Sequence, residues 1–132
     1  MISRLEKEKN IKMAIKAFSQ VLEKYPNIGL IIVGEGKERT SLVELTEKLN
    51  IKKSIIFENW QSDQEILISY YKTCDIFLNT SWYEGYGMTL KEAQMAGCKI
   101  ISTDVGIARE VGAEVVGFGE GEIADTIICN IY

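Results

Sequence analysis

The chain of 132 residues contains no histidine, and its three cysteines form no C-x-x-C pair. Histidine and clustered cysteine are the usual ligands of zinc, so their shortage excludes an ordinary zinc site. An odd number of scattered cysteines also gives no disulfide framework. We therefore expect Cys74, Cys98 and Cys129 to be buried free thiols in a reducing compartment, which predicts a cytoplasmic protein.

Long apolar runs and an excess of basic residues are also missing. No stretch of about 18 apolar residues occurs, so no transmembrane segment is predicted, and no charged-then-apolar leader opens the chain. The net charge is −4 and the isoelectric point is near 5.0. An acidic chain is not expected to present a general nucleic-acid surface. Any anion-binding site must therefore be local.

The size and apolar content are those of one globular domain covering residues 1–132. Hydrophobic residues make up 46% of the chain and charged residues 26%, both ordinary for a soluble domain. Helical and strand patterns alternate along it. Helices are predicted from a cap at Asn10, from Leu42, from a capping box at Ser62, from Thr89 and from Glu122 to Tyr132; strands are predicted at 30–33, 55–57, 75–79, 99–102 and 115–116. This order predicts an α/β fold, a Rossmann-like doubly wound parallel sheet with helices on both faces.

The stretch between Glu84 and Glu92 is the most informative part of the chain. Two carboxylates stand eight positions apart across a Gly-Tyr-Gly turn, directly after the predicted strand 75–79 and at the start of a helix. Ligands of doubly wound sheets bind beyond the carboxyl ends of the strands. A helix start offers free N–H groups to anionic oxygens, and carboxylates accept hydrogen bonds from hydroxyls. The pattern suits a ligand that carries both phosphate and sugar hydroxyls.

This stretch resembles the E-x7-E motif of retaining glycosyltransferases of the family 4 type, in the carboxy-terminal half of the GT-B fold. Three further segments are similar to that family in the same order. They are 3–10, which resembles its "GRL…EKG/N" opening, 32–36, which resembles its "VGxG" turn, and 96–106, which resembles its "aGcPVIatdvGG" strand and loop. The resemblance implies a single domain that is one half of a GT-B fold, the half that binds the nucleotide-sugar donor.

The resemblance also implies roles for particular residues. Arg4 and Lys9 would hold the diphosphate, Glu92 the ribose, and Glu84 the donor sugar, as the catalytic carboxylate. Backbone and side chains of Gly34, Trp60, Gly85, Tyr86, Gly87, Met88 and Thr89 would complete the donor site. No metal or other cofactor is implied, because cationic side chains and a helix dipole would take over the electrostatic role of a metal ion.

Each assignment has a simpler alternative. Arg4 and Lys9 lie in a stretch of mixed charge, and both also fit the alternative of surface side chains that only contact solvent. Glu92 has capping-box spacing from Thr89, and Glu84 also fits an exposed loop acid. Trp60 fits a loop anchor as well as a base-stacking ring, and Tyr86 and Met88 fit core packing. The Gly34-x-Gly36 pair reads as a tight turn, since Arg39 replaces the third glycine of a dinucleotide fingerprint.

The chain departs from the family pattern in three ways. Lys99 replaces the usual proline before a strand, Gly106-Ile107 replaces a common Gly-Gly, and the first strand is nearly absent at Met1-Ile2. We therefore expect a piece of something larger or one part of a split protein. By the resemblance, an amino-terminal acceptor domain lies in the same or a separate chain and provides the acceptor site, and the acceptor is a polysaccharide or lipid-linked glycan. That half would allow a peripheral position at the inner membrane face.

Two other functions remain as alternatives. A flavodoxin-like receiver or signalling module has the same alternation of elements but needs an acidic cluster at the ends of its first strands, which 3–4 and 32–34 do not offer. A methyltransferase-like cofactor domain needs its glycine loop after a different strand.

Overall fold

The computed structural model describes residues 1–131, which contain five strands and five α-helices; the two alternate except that β5 follows β4 directly. The strands are β1 (Leu30–Val33), β2 (Ile55–Glu58), β3 (Ile76–Asn79), β4 (Lys99–Thr103) and β5 (Glu114–Val116). The helices are α1 (Ile11–Lys24), α2 (Arg39–Lys48), α3 (Gln64–Thr73), α4 (Met88–Met95) and α5 (Glu120–Ile131). The last residue of the predicted final helix, Tyr132, lies outside the described residues.

All strand pairs are parallel, which confirms the Rossmann-like α/β prediction. The strands form one sheet of order β1-β2 and another of order β3-β4-β5. The expected single sheet is therefore divided. Ile2 makes one parallel bridge to Val33, so only a trace of a strand precedes β1. Because this trace is so short, it does not join β1 to β3 by hydrogen bonds.

Helices cover both faces of the strands, as predicted. Alternate strand residues point to opposite faces. Phe77 and Ile100 pack in one core cluster with residues of α3 and α4, including the fully buried Leu90. Leu78 and Ile101 pack in another cluster with residues of α1 and α5. Burial of each such side chain stabilises the fold by about 1.5–3 kcal/mol relative to exposure, which holds the strand ends, and hence the loops that follow them, in place.

Two helix caps and the burial of the cysteines differ from the sequence predictions. Asp63, not Ser62, caps α3, because its Oδ1 accepts from the N–H of Glu65 at 2.9 Å. Asn10 stands at the N-cap of α1, but it is left-handed (φ 50°) and its side chain caps nothing there. The thiols are free as predicted, but none of them is fully buried. Cys74 and Cys98 are half-buried, and Cys129 is exposed because it lies on the outer side of α5.

An apolar cavity of about 280 Å³ lies between β1 and β3, which are not hydrogen-bonded to each other. Leu30, Ile76 and Leu78 are among its lining residues, as is Met1. The terminal amine of Met1 donates to the carbonyl of Ile31 at 2.9 Å, so the amine is drawn into this apolar region. Removal from water disfavours the charged form of an amine.

Folding stability is therefore expected to rise with pH when Met1 carries a free amine. Burial lowers the pKa of this amine from 8.0 to about 6. Between pH 6 and 8 the unfolded chain binds more protons than the folded chain, so the free energy of unfolding increases across this window, by about 2–3 kcal/mol in total. Urea unfolding from pH 5.5 to 8.5 measures the slope. An amino-terminally acetylated chain is the control, and equal slopes for the two chains would refute the shift.

Candidate functional site

A cavity of about 630 Å³ lies at the carboxyl ends of β1, β2 and β3. The residues that line it are Ile2, Ser3, Arg4, Lys9, Glu35, Trp60, Glu84, Tyr86, Gly87, Met88 and Thr89. Its volume is within the usual range of small-molecule sites, about 300–1,000 Å³. Parallel strands end at the same edge, so the loops after them converge, and the topology brings residues far apart in sequence to one place.

Most of the predicted site residues lie at this cavity. Arg4, Lys9, Trp60, Glu84, Tyr86, Gly87, Met88 and Thr89 line it, whereas Gly34, Gly85 and Glu92 do not. The sequence analysis missed Ser3 and Glu35, although both stand within segments it had singled out. Their position in the cavity follows from the pairing of the 3–5 segment alongside the end of β1, which no local pattern reveals.

Lys9 and Glu84 form an ion pair inside the site. The Nζ of Lys9 lies 2.9 Å from Oε1 of Glu84, and the two side chains are 13% and 15% exposed. Arg4 differs, because its side chain is 71% exposed and reaches only Glu8, at 3.5 Å. The alternative of a solvent-exposed side chain therefore holds for Arg4, at the rim of the cavity. It does not hold for Lys9, which lies inside the cavity.

The segment that follows β3 holds the amino-terminal loop against the sheet edge. The hydroxyl of Thr80 lies 2.9 Å from the carbonyl oxygen of Asn10 and 3.2 Å from that of Lys9, and donates its one proton to either of them. The backbone N–H of Trp82 donates to the carbonyl of Glu8 at 2.8 Å. Thr80 is fully buried. Together these bonds fix the backbone on either side of Lys9, so its ammonium group enters the cavity from a defined position.

Buried polar residues also hold Glu84. The hydroxyl of Ser81 lies 2.9 Å from Oε1 of Glu84 and 2.8 Å from Oδ1 of Asn79. The hydroxyl of Thr103 donates to the carbonyl of Ser81 at 2.6 Å. Sequence reasoning missed Asn79 and Ser81; the only signal was a polar run directly after an apolar strand. Hydrogen bonds therefore fix the Glu84 side chain in place, and the alternative of an exposed loop acid does not describe it.

The amino-terminal end of α4 opens onto the same cavity. Gly87 occupies the N-cap position with φ 95°, and no side chain caps the helix there. The first N–H groups of a helix have no partner within the helix. Met88 and Thr89 line the cavity, so their uncapped helix end presents N–H donors and a positive dipole end to it.

Glu92 has a partner that the sequence did not reveal. The hydroxyl of Tyr71 in α3 donates to Oε2 of Glu92 at 2.7 Å. Burial, together with this carboxylate, raises the pKa of the Tyr71 hydroxyl above its ordinary value. The capping box with Thr89 is not formed, so that alternative is wrong. Oε1 of Glu92 is not engaged by this bond, and the ribose role stays a prediction.

Two glycines support the site from behind. Gly34 lies directly against the backbone of Ser3, and the N–H of Ser3 donates to Val33 at 3.0 Å. Gly106 has φ 50° and packs against the carbonyl of Tyr86, which accepts from the next N–H at 2.9 Å. Gly34 therefore positions the segment that carries Arg4, and Gly106 positions the loop that carries Glu84.

These observations define a Rossmann-like α/β domain whose strand ends present two cations, an open helix start and a held carboxylate to one cavity. Residues 1–125 match the sequence profile of the glycosyl transferases group 1, and the chain belongs to this family.

Known proteins agree with this assignment. The chain is 33% identical over 101 residues to the alpha-monoglucosyldiacylglycerol synthase of Streptococcus pneumoniae (strain ATCC BAA-255 / R6), a match that covers 76% of this chain and 23% of that protein. The carboxy-terminal domain of the group 1 glycosyl transferase LpcC from Francisella tularensis has a TM-score of 0.87 and 27% identity, with 98% of this chain and 73% of that chain covered.

A third similar protein is the pneumococcal O-GlcNAc transferase GtfA, whose structure was solved in complex with UDP and GlcNAc. Its TM-score is 0.83 and its identity 26%, with 98% of this chain and 27% of that chain covered. The chain thus spans about a quarter of the length of this enzyme and of the synthase. No helix among residues 1–131 is long and apolar enough to cross a bilayer.

Proposed function

We propose that residues 1–132 form the nucleotide-sugar-binding domain of a retaining glycosyltransferase, a hexosyltransferase. The observation that carries this proposal is the joint lining of one cavity by Arg4, Lys9, the start of α4 and Glu84. Donors for a diphosphate and an acceptor for sugar hydroxyls therefore face the same space. The UDP and GlcNAc bound to the similar enzyme GtfA support a ligand of this class. The family match does not favour the receiver alternative.

The diphosphate is held by Lys9, Arg4 and the first N–H groups of α4. Lys9 supplies a point charge from inside the cavity, and Arg4 supplies a forked guanidinium from the rim. The helix end adds N–H donors and its dipole. During transfer these groups stabilise the charge that develops on the diphosphate leaving group. In this proposal they take the electrostatic role of a metal ion, so the reaction is metal-independent.

The sugar is held by Glu84. Its Oε1 accepts from Lys9 and Ser81, while its Oε2 has no hydrogen-bond partner within residues 1–131 and is left for ligand hydroxyls. A carboxylate at this position also stabilises positive charge that develops on the anomeric carbon. Glu84 is therefore the catalytic carboxylate of the proposal.

The nucleoside end is the least constrained part of the site. Glu92 contributes Oε1 to the ribose hydroxyls, and Trp60, which is 49% exposed at the cavity, stacks on the base. Gly85 lets the loop backbone approach the ligand closely, whereas Gly34, which packs against the backbone of Ser3, contributes by placing the segment that carries Arg4. Tyr86 and Met88, 53% and 61% exposed, are surface residues of the cavity and not core.

Transfer needs an acceptor domain in the same or a separate chain. We propose that this domain binds the acceptor, and that the acceptor is a polysaccharide or lipid-linked glycan. The domain described here then works at a cytoplasmic site, with any membrane contact made through the acceptor half. By itself it binds donor but transfers little sugar.

Titration calorimetry with UDP, GDP and ADP tests the proposal. The folded chain is expected to bind at least one of them, and Arg4→Ala to weaken that binding by about 3- to 10-fold, because an exposed cation on a phosphate contributes about 1 kcal/mol. Arg109→Ala is the matched control, since Arg109 is 72% exposed and pairs with Asp104 away from the cavity lining. A folded chain that binds none of the three nucleotides at millimolar concentration would overturn the proposal.

A further inference from the structure

The hydroxyl of Ser81 has one proton to donate and lies within hydrogen-bond distance of two acceptors. It lies 2.9 Å from Oε1 of Glu84 and 2.8 Å from Oδ1 of Asn79, and Ser81 is fully buried. A serine hydroxyl donates one hydrogen bond at a time. An ionised carboxylate is the stronger acceptor, so the proton is directed to Glu84. Asn79 still receives the backbone N–H of Ser81 at 3.5 Å.

Ser81 and Lys9 therefore hold the same oxygen of Glu84 from two directions. Lys9 Nζ and Ser81 Oγ both lie 2.9 Å from Oε1. Two donors on one oxygen restrict rotation of the carboxylate. The other oxygen, Oε2, has no hydrogen-bond partner among residues 1–131, and Glu84 is a cavity-lining residue. The two donors differ in kind, because Lys9 is a cation at the end of a long, rotatable side chain, whereas Ser81 is fixed by its buried backbone.

A diphosphate in the cavity would compete with Glu84 for Lys9. The lysine ammonium has three donors but is drawn toward the larger negative charge. The hydroxyl of Ser81 is not drawn in this way, because it lies behind Glu84 and is not among the cavity-lining residues. With ligand bound, Ser81 is the donor that keeps the carboxylate oriented.

We propose that Ser81 is a positioning residue that sets the affinity of the domain for the sugar part of its donor, separately from the diphosphate part. The inference rests on the proposed function. Ser81 does not touch the ligand; it acts by holding Glu84 so that Oε2 accepts from sugar hydroxyls. Removal of the Ser81 hydroxyl is therefore expected to lower the affinity only for ligands that carry a sugar.

The test compares UDP with UDP-glucose and UDP-N-acetylglucosamine by calorimetry on the full chain. Ser81→Ala is expected to weaken binding of the UDP-sugar that the unmodified chain prefers by about 5- to 10-fold, the effect of roughly 1 kcal/mol, and to leave UDP affinity within about twofold. Ser81→Cys keeps the shape of the side chain, with a somewhat larger atom in place of the oxygen, but is a weak donor, and is expected to behave like Ser81→Ala. It carries the test if the alanine variant does not fold. Thr46→Ala is the matched control, because Thr46 is a fully buried hydroxyl in α2 that bonds only within its own helix.

Each other outcome has a distinct meaning. Equal losses for UDP and UDP-sugars, or no loss for either, would overturn the role of Ser81 while the proposed function stands. An unmodified chain that is folded but binds neither UDP nor the UDP-sugars, nor GDP or ADP, would instead overturn the proposed function, and this inference with it. Urea unfolding of every variant separates loss of binding from loss of fold.

Discussion

Replacement of Lys9 by methionine is expected to weaken the binding of UDP, or of whichever nucleoside diphosphate the chain binds, by about 30- to 100-fold. Charge-assisted hydrogen bonds to a buried partner contribute about 2–3 kcal/mol. Lys9 is the cation that lies inside the cavity, at 13% exposure. The loss is larger than for Arg4, since the variant also leaves the negative charge of Glu84 close to the incoming phosphates.

Replacement of Glu84 by glutamine is expected to have the opposite effect on the same ligand. The ammonium of Lys9 loses its 2.9 Å partner and is free for the anion, so affinity for the sugar-free nucleotide rises by about 2- to 5-fold. Affinity for the matching nucleotide-sugar falls, because the amide is a weaker acceptor than the carboxylate. Calorimetry with both ligands on both variants measures the contrast.

The double variant is the control for folding. Lys9→Met alone leaves a mostly buried carboxylate unpaired, which destabilises the fold, whereas Lys9→Met with Glu84→Gln leaves no charge unpaired. Urea unfolding should therefore show the double variant to be more stable than Lys9→Met. If the two single variants change UDP affinity in the same direction and by the same factor, the ion pair serves the structure and not the diphosphate.

Replacement of Gly34 by alanine is expected to lower the free energy of unfolding by about 3 kcal/mol or more. A Cβ atom at this position would overlap the carbonyl group of Ser3, and the backbone there has φ 149°. The segment cannot move away without breaking two backbone hydrogen bonds, from Ser3 to Val33 at 3.0 Å and from Leu5 to Glu35 at 2.7 Å. Steric overlap with backbone and disfavoured φ together place the effect at the large end for single substitutions.

Gly97→Ala is the matched control for this prediction. Gly97 also has a positive φ, 82°, but a Cβ there would meet no atom within 4 Å. This variant is expected to lose only about 1–2 kcal/mol, from backbone conformation alone. Urea unfolding compares the two. Gly34→Ala is also expected to abolish nucleotide binding, because the displaced segment carries Arg4. Equal stability of the two variants would mean that the 3–5 segment does not pack against Gly34.

Much of the fold could be predicted because local patterns report it. The apolar run 30–33 followed by glycine gave β1, and the run 99–102 gave all but the last residue of β4. Alternation of such runs with helical faces gave a parallel sheet covered on both faces. The division of the sheet was not foreseen, although the near absence of a strand at Met1-Ile2 was, because strand pairing depends on which backbones lie side by side.

The candidate site divides in the same way. Arg4, Lys9 and the residues of the 84–92 stretch could be identified from the sequence as candidates for the site. Most of them line one cavity in the structure. The hydrogen-bond partners of these residues could not be predicted. Lys9 meets Glu84 across 75 positions, and Tyr71 reaches Glu92 across 21. Ser81 was marked only by its place in a polar run after an apolar strand, and this pattern does not indicate which acceptor its hydroxyl meets.

The sequence by itself determined the kind of elements, their order and the chemistry available at the strand ends, since helix and strand periodicity and glycine turns act over a few residues. Only the tertiary structure decided which oxygen of each carboxylate is held, by which donor, and which is left open. Hydrogen bonds act over about 3 Å, and that distance between residues remote in sequence is set by the packing of the strands and helices that carry them.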